Sequence, residues 1–379
     1  MAVIYLDNGA TSFPKPQKVI RAVGRAVAYQ GNPGRGGYPA AMEGAKTLYR
    51  CRERAGDLFG CDPEQVVLTS NCTQGLNMAI RTLVRPGERV VTSGFEHNAV
   101  TRPLHLLGAE VIPAGRKLFD WDDTLADFSA ALDRKPAAAV FTHVSNVFGY
   151  ILPAAEMGKM CRERGIPFTI DAAQSAGVLP LSLRDLGADF IAMPGHKGLL
   201  GPMGTGLLLC RRLPAVWMAG GTGSDSVNQA MPEFLPDRGE AGTANVPGAA
   251  GLLAGMEEVR RMGLENIARR EAQCAARCAR RLEKLGLEVF SGPYQGGTVS
   301  FRGGMDCEAL AQALARRGFA LRAGLHCAPL AHESAGTLAT GTVRASFGCN
   351  AAPAQADALT AAVWDVLKKC GKGDRADPV

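Results

Sequence analysis

Lys197 stands between an apolar run, Asp189-Phe190-Ile191-Ala192-Met193, and a glycine-rich stretch, Gly198-Leu199-Leu200-Gly201-Pro202-Met203-Gly204-Thr205-Gly206. An amine on such a rigid ledge suits condensation with a carbonyl, because partial desolvation lowers its pKa and frees its lone pair. A solvated lysine in a flexible loop fits the same pattern. Other chemistry-bearing residues also follow apolar runs: Cys72, Thr73 and Gln74 after Val66–Ser70, His97 after Arg89–Ser93, Asn146 after Ala138–Thr142, and Asp171 and Gln174 after Pro167–Ile170. Each has a plain structural alternative, since Asp and Asn cap turns and a lone histidine is commonly a satisfied structural residue.

The elements that would position these residues are short apolar strands alternating with helices, with further strands at Glu110–Pro113 and Gly206–Cys210. This order predicts an α/β fold with a mainly parallel sheet covered on both faces, whose ligands bind beyond the carboxyl ends of the strands. One site would therefore collect residues from five loops. A glycine-rich connector spans 220–245. After it, weaker strands at Thr298–Phe301, Ala320–Ala323 and Thr342–Phe347 alternate with helices near 306–317 and 352–369, which predicts a smaller α+β domain. The loop Gly31–Tyr38, with Arg35, either faces an anionic ligand or is a surface connection. The tail from Lys372 is expected to be disordered.

With 379 residues, 46% hydrophobic and 21% charged, the composition is that of a globular protein, and no apolar run reaches the roughly 18 residues of a membrane helix. The start, Met1–Asp7, lacks the basic and apolar segments of a signal peptide, so a cytoplasmic location is expected. The formal charge of +6 is spread among acids, which argues against nucleic-acid binding. Eleven cysteines show no spacing of a zinc site, so no metal is expected and most should be reduced core residues. Cys274 and Cys278 share a helix face without further ligands beside them.

No dinucleotide fingerprint and no phosphate-loop motif occurs. A strand-end acid, a lysine, a histidine and a helix start with hydroxyls suit pyridoxal 5′-phosphate, which needs a lysine to join its aldehyde, an acid on the pyridine nitrogen, a ring to stack on and amides for the phosphate.

The chain also resembles the class V aminotransferase-like, fold-type-I PLP enzymes, and within them the group II cysteine desulfurases. The resemblance rests on Tyr5-Leu6-Asp7-Asn8, Thr73-Gln74-Gly75-Leu76-Asn77, Glu96-His97-Asn98-Ala99, Ser145-Asn146-Val147-Phe148-Gly149, Asp171-Ala172-Ala173-Gln174-Ser175, Gly195-His196-Lys197, Glu240-Ala241-Gly242-Thr243, Arg322-Ala323-Gly324-Leu325-His326-Cys327-Ala328 and Val343-Arg344-Ala345-Ser346, in this order over nearly the whole chain. It implies an arm (1–15) associated with the small domain, a large cofactor-binding domain (16–255) with a seven-stranded sheet, and a small domain (256–379) carrying a catalytic cysteine loop.

By the same resemblance, Lys197 holds the cofactor and moves the Cα proton, Asp171 partners the pyridine nitrogen, and His97 stacks on the ring and shuttles protons. Gln174 and Asn146 hold the O3′ side. Cys72, Thr73 and His196 form the phosphate cup, and Thr243 completes the cup of a partner subunit in a homodimer. Pro194 replaces a hydroxyl residue common in the family, which leaves the cup one hydrogen bond short. Arg344 clamps the substrate carboxylate, with Arg322 and Asn8 beside it, and Cys327 accepts sulfur. Only 17 positions separate Cys327 from Arg344, like the short group II loop. The implied reaction converts L-cysteine to L-alanine and leaves a persulfide on Cys327 for an acceptor protein. A selenocysteine lyase, or a cysteine sulfinate or C–S lyase, is the alternative within the same family.

Overall fold

The computed structural model describes residues 3–373 except Arg35 and Asp225. The expectation for Arg35 therefore lies outside the described residues, as does the tail 374–379. Thirteen strands follow one another among the described residues: β1 (Ile4–Tyr5), β2 (Val66–Thr69), β3 (Arg89–Ser93), β4 (Glu110–Ala114), β5 (Ala138–Thr142), β6 (Phe168–Asp171), β7 (Phe190–Pro194), β8 (Gly206–Cys210), β9 (Glu288–Phe290), β10 (Thr298–Arg302), β11 (Phe319–Ala320), β12 (Arg322–Gly324) and β13 (Thr342–Ser346).

Seven of them form one sheet in the order β2-β8-β7-β6-β5-β3-β4. Strands β4, β3, β5, β6 and β7 are mutually parallel, and β8 runs antiparallel to both β7 and β2. The sheet is the mainly parallel one expected from the sequence. Strands β5 to β8 are buried at every position, which is why they read as continuous apolar runs. Alternate residues divide between two cores, as the two-residue period of a strand requires. Ile191, Met193, Leu207 and Leu209 face one, and Phe190, Ala192, Leu208 and Cys210 face the other.

Strands β9, β10, β12 and β13 make a second, antiparallel sheet in the order β12-β13-β10-β9. Its core joins Val299, Phe301, Val343 and Ala345 to Cys278, Leu310 and Leu359 of the helices Leu264–Glu283, Cys307–Ala315 and Pro353–Gly373. Leu6 of the N-terminal arm is fully buried in that same core, and β1 pairs in parallel with β11. The arm thus packs on the C-terminal part of the chain. The helix Val246–Met262 runs unbroken through residue 255 and packs against the helices Gln17–Tyr29 and Pro39–Phe59.

The run Ala320–Ala323, which reads as one strand, divides at Leu321, because β11 pairs with β1 whereas β12 pairs with β13. β9 escapes the sequence reading because it is only three residues long, with one exposed position. The last helix continues through Lys372 and Gly373, where a disordered tail was expected. Between 220 and 245 the only regular element among the described residues is the short turn Asp237–Gly239. No described helix is long and apolar enough to cross a membrane.

Candidate active site

Asp171 closes β6, Lys197 follows β7, and the register sets Asp171 beside Ala192 on the neighbouring strand. Asp171 is 2% exposed, and its Oδ1 accepts from Ala173 N at 2.8 Å and from the Cys72 thiol at 3.5 Å. Its Oδ2 takes no hydrogen bond among the described residues. Burial lowers the Lys197 pKa, opposed by the nearby Asp171 carboxylate. Burial likewise lowers the His97 pKa; Asp171 opposes that shift and Lys197 reinforces it. The three groups share one electrostatic neighbourhood, which is the set a carbonyl-condensing lysine requires.

His97 caps the helix Asn98–Leu106, and its Nδ1 accepts from Ala99 N at 3.0 Å. The neutral ring therefore carries its proton on Nε2. The helix Cys72–Leu83 starts beside Asp171. Its cap Asn71 binds Gln74 N at 2.9 Å, which leaves the Cys72 and Thr73 amides free at the positive end of the helix dipole. Gly75 seats this helix tightly, since a Cβ there would lie 3.3 Å from Ala192 Cβ. Thr73 is exposed. Burial and the Asp171 carboxylate push the Cys72 thiol well above its ordinary range.

These residues fit pyridoxal phosphate. A buried carboxylate with a free oxygen answers a protonated pyridine nitrogen, free amides at a helix start answer a phosphate, and a lysine amine whose pKa is lowered by burial answers the aldehyde.

Other expected residues have additional partners. His196 is half-buried, its Nδ1 lies 3.1 Å from Thr11 Oγ1, and burial holds its pKa down at about 4. Its carbonyl accepts from Ser12 N, Thr11 Oγ1 and Lys15 Nζ, so His196 anchors the N-terminal arm. Gln174 Nε2 donates to Gly9 O at 3.0 Å. Asn146 Nδ2 donates to His326 O at 2.8 Å, which ties it to the Cys327 loop. Pro194 pairs with Gly206 as the last residue of β7. Thr243 is exposed and lines a cleft of about 790 Å³ with Ser70, Gln74 and Thr205, which Lys197 does not line.

Arg344 is 3% exposed. It donates from Nη1 to Asn146 O at 2.9 Å and from Nη2 to Asp7 Oδ1 at 2.7 Å, while its Nε is buried without a partner. Arg322 donates to the other oxygen of the same carboxylate, Asp7 Oδ2, at 2.9 Å. Asn8 Nδ2 donates to Ser346 O at 3.0 Å. Asp7 was legible only as part of a motif, because its partners lie more than three hundred positions along the chain.

Cys327 is exposed, unlike the eight described cysteines that are buried. His326 and Cys327 both have left-handed backbone, with φ of 50° and 57°, a conformation that costs energy in residues with a side chain. The surroundings fix it. Asn98 N donates to Cys327 O at 2.7 Å, Asn146 holds the His326 carbonyl, and His326 Nε2 lies 3.1 Å from Thr342 O. Burial forces the His326 pKa down to about 2, so the ring stays neutral and donates from Nε2. Sequence reasoning gave His326 no role; its place immediately before Cys327 was the available signal. Among the described residues no cluster of His, Cys, Asp and Glu could hold a metal ion.

Comparison with known proteins identifies the family and the fold. The profile of the family described as "Aminotransferase class-V" matches residues 4–359. The chain is 32% identical to a probable cysteine desulfurase of Methanothermobacter thermautotrophicus over 91% of its length and 90% of that protein. It is 30% identical to a cysteine desulfurase of Haloferax volcanii over 95% of its length and 88% of that protein. The solved apo structure of a cysteine desulfurase from Thermococcus onnurineus superposes with a TM-score of 0.88 at 30% identity, covering 97% of this chain and 95% of that one. The chain belongs to the aminotransferase class-V family.

Proposed function

We propose that this protein is a pyridoxal-phosphate-dependent cysteine desulfurase that converts L-cysteine to L-alanine and carries the abstracted sulfur on Cys327. The observation that carries the reading is Asn146, whose two ends join the carboxylate-binding Arg344 to the loop that presents the exposed Cys327. Similarity to the desulfurases named above supports it.

Bound pyridoxal phosphate supplies the electron sink that makes the substrate Cα proton acidic. Asp171 is the acceptor for the pyridine N–H, and the free amides of Cys72 and Thr73 are the donors for the phosphate. Arg344 receives the substrate carboxylate, with Asn8 nearby. Lys197, its pKa lowered by burial, takes the Cα proton, and His97 relays a proton at Nε2. The Cys327 thiolate attacks the substrate sulfur. The S–S bond forms as the Cβ–S bond breaks, the electron pair passes to the organic fragment, Cβ gains a proton, and alanine leaves.

The short interval between Cys327 and Arg344 supports a group II enzyme with a restrained loop, and the exposed thiol suits transfer to an acceptor protein. Thr243 lines a cleft with Ser70, Gln74 and Thr205 that Lys197 does not line, which suits a homodimer in which it reaches the phosphate of the partner's site. The free thiols of the described residues suit a reducing, cytoplasmic compartment. In the decisive assay, Cys327→Ala releases no alanine from L-cysteine while the visible absorbance of the bound cofactor is unchanged. Retained turnover contradicts the reading, and activity retained only on selenocysteine replaces it with a selenocysteine lyase.

A further inference from the structure

A cavity of about 300 Å³ lies between the central sheet and the C-terminal part of the chain, bordered by Gln174 and Lys197 on one side and by Glu271, Ile267, Ala268 and Cys349 on the other. Asn8, Gln174 and Lys197 belong to both this cavity and the active site, whereas His97, Asp171, Thr73, Arg344 and Cys327 do not line it. Its size matches that of small-molecule pockets, and most of its wall is apolar.

The group without an explanation there is Glu271. It is 8% exposed, it lines the cavity, and it makes no hydrogen bond or ion pair among the described residues. A buried carboxyl without a partner is costly. Burial alone holds its pKa up at about 8, with no neighbouring charge compensating. The charged and titratable groups around it are otherwise engaged. Arg269 and Arg270, on the same helix, are exposed; Arg269 bonds Asn266 Oδ1 and Arg270 bonds Cys349 O. Lys15 Nζ bonds Ser12 Oγ and His196 O. Burial, with Glu271 adding to it, raises the Cys349 thiol to about 11, so it stays protonated. Lys197 faces Asp171. Gly297 gives the carboxyl its room, since a Cβ at that position would lie 2.9 Å from Glu271 Oε2.

The amides lining the cavity have their donors engaged. Gln295 Nε2 contacts the carbonyls of Phe148, Phe290 and Thr298 at 3.0–3.1 Å. Gln174 Nε2 is on Gly9 O and Asn8 Nδ2 on Ser346 O. The side-chain oxygens of all three take no hydrogen bond among the described residues, so the lining offers acceptors. We propose that this cavity, which adjoins the cofactor site and shares Asn8, Gln174 and Lys197 with it, is a binding site for a small organic ammonium with an apolar body, its N–H held by Glu271. These acceptors favour a donor over an anion, and a bare cation leaves the apolar wall unused.

The test titrates the holoenzyme with N,N-dimethylbenzylammonium, a tertiary amine that cannot condense with an aldehyde, by calorimetry at pH 7 in buffers of different ionisation enthalpy. The expected result is one site per chain, release of about one proton as Glu271 ionises, and unchanged visible absorbance of the cofactor. Glu271→Gln, which matches the neutral carboxyl in shape, should weaken binding about tenfold or more (~1.4 kcal/mol) and abolish proton release. Ala268→Leu, which fills the cavity and keeps Glu271, should abolish binding. Absence of binding at millimolar probe, equal binding by both variants, or a changed cofactor spectrum each overturns the proposal.

Discussion

Asp7 and Arg344, at opposite ends of the chain, form an ion pair of 2.7 Å in which the guanidinium is 3% exposed and the carboxylate side chain 12% exposed. The arm is thereby fixed to β13, and two faces of the guanidinium are engaged by Asp7 and the Asn146 carbonyl before any substrate arrives. Removing one partner of a buried pair leaves an uncompensated charge. Asp7→Asn should therefore lose about 3 kcal/mol of stability in denaturant titration and raise KM for L-cysteine as Arg344 loses its orientation. Arg322→Gln should lose less than about 1 kcal/mol, because the Arg322 side chain is 53% exposed. Equal losses in the two variants would remove Asp7 as the anchor of Arg344.

Glu271 gives a pH dependence of known sign. Its carboxyl is neutral in the folded protein up to about pH 8, whereas its ordinary pKa is 4.5. The folded state holds the extra proton between these values, so the group's contribution to stability is full below pH 4.5 and is lost as pH rises through 8. Glu271→Gln should match the wild type at pH 4.5 and exceed it by roughly 4 kcal/mol at pH 9. Glu96, also raised to about 8 by burial, is common to both proteins and cancels. Parallel stability curves over this range would show that Glu271 is already ionised.

Subunit mixing tests the place of Thr243. Lys197→Ala should be inactive, and Thr243→Ala should bind the cofactor more weakly. In the proposed homodimer a mixed dimer has one of its two sites with both Lys197 and the partner's Thr243 intact, so random exchange, which makes about half the dimers mixed, should restore cofactor affinity to about a quarter of all sites. Unchanged affinity after subunit exchange would place Thr243 in its own chain's site or outside any site.

Much of the fold was legible because the fully buried strands β5 to β8 are short apolar runs that end in small or polar residues. Lys197, Asp171 and His97 were legible in the same way, since each stands at or after the end of a short apolar run and the parallel strands bring those ends to one end of the sheet. The division of 319–324 into two strands was not, because pairing partners decide it. The roles of Asp7 and His326 were also hidden. Asp7 depends on an arm folding back across 337 positions to Arg344, and His326 depends on a carbonyl of β13 and on the Asn146 side chain, neither of which local pattern announces. Nothing in the sequence singles out Glu271, and only the packing of Gly297 against it shows that it is enclosed.

The central claim is that Cys327 takes sulfur from cysteine. The most direct measurement is mass spectrometry of the holoenzyme after a single turnover with L-cysteine, without reductant, followed by digestion. The account predicts one added sulfur atom on the peptide containing Cys327, with an equimolar amount of alanine, and no added sulfur anywhere in Cys327→Ser. Alanine released in the Cys327→Ser variant, or sulfur found on Cys349 instead, would contradict it.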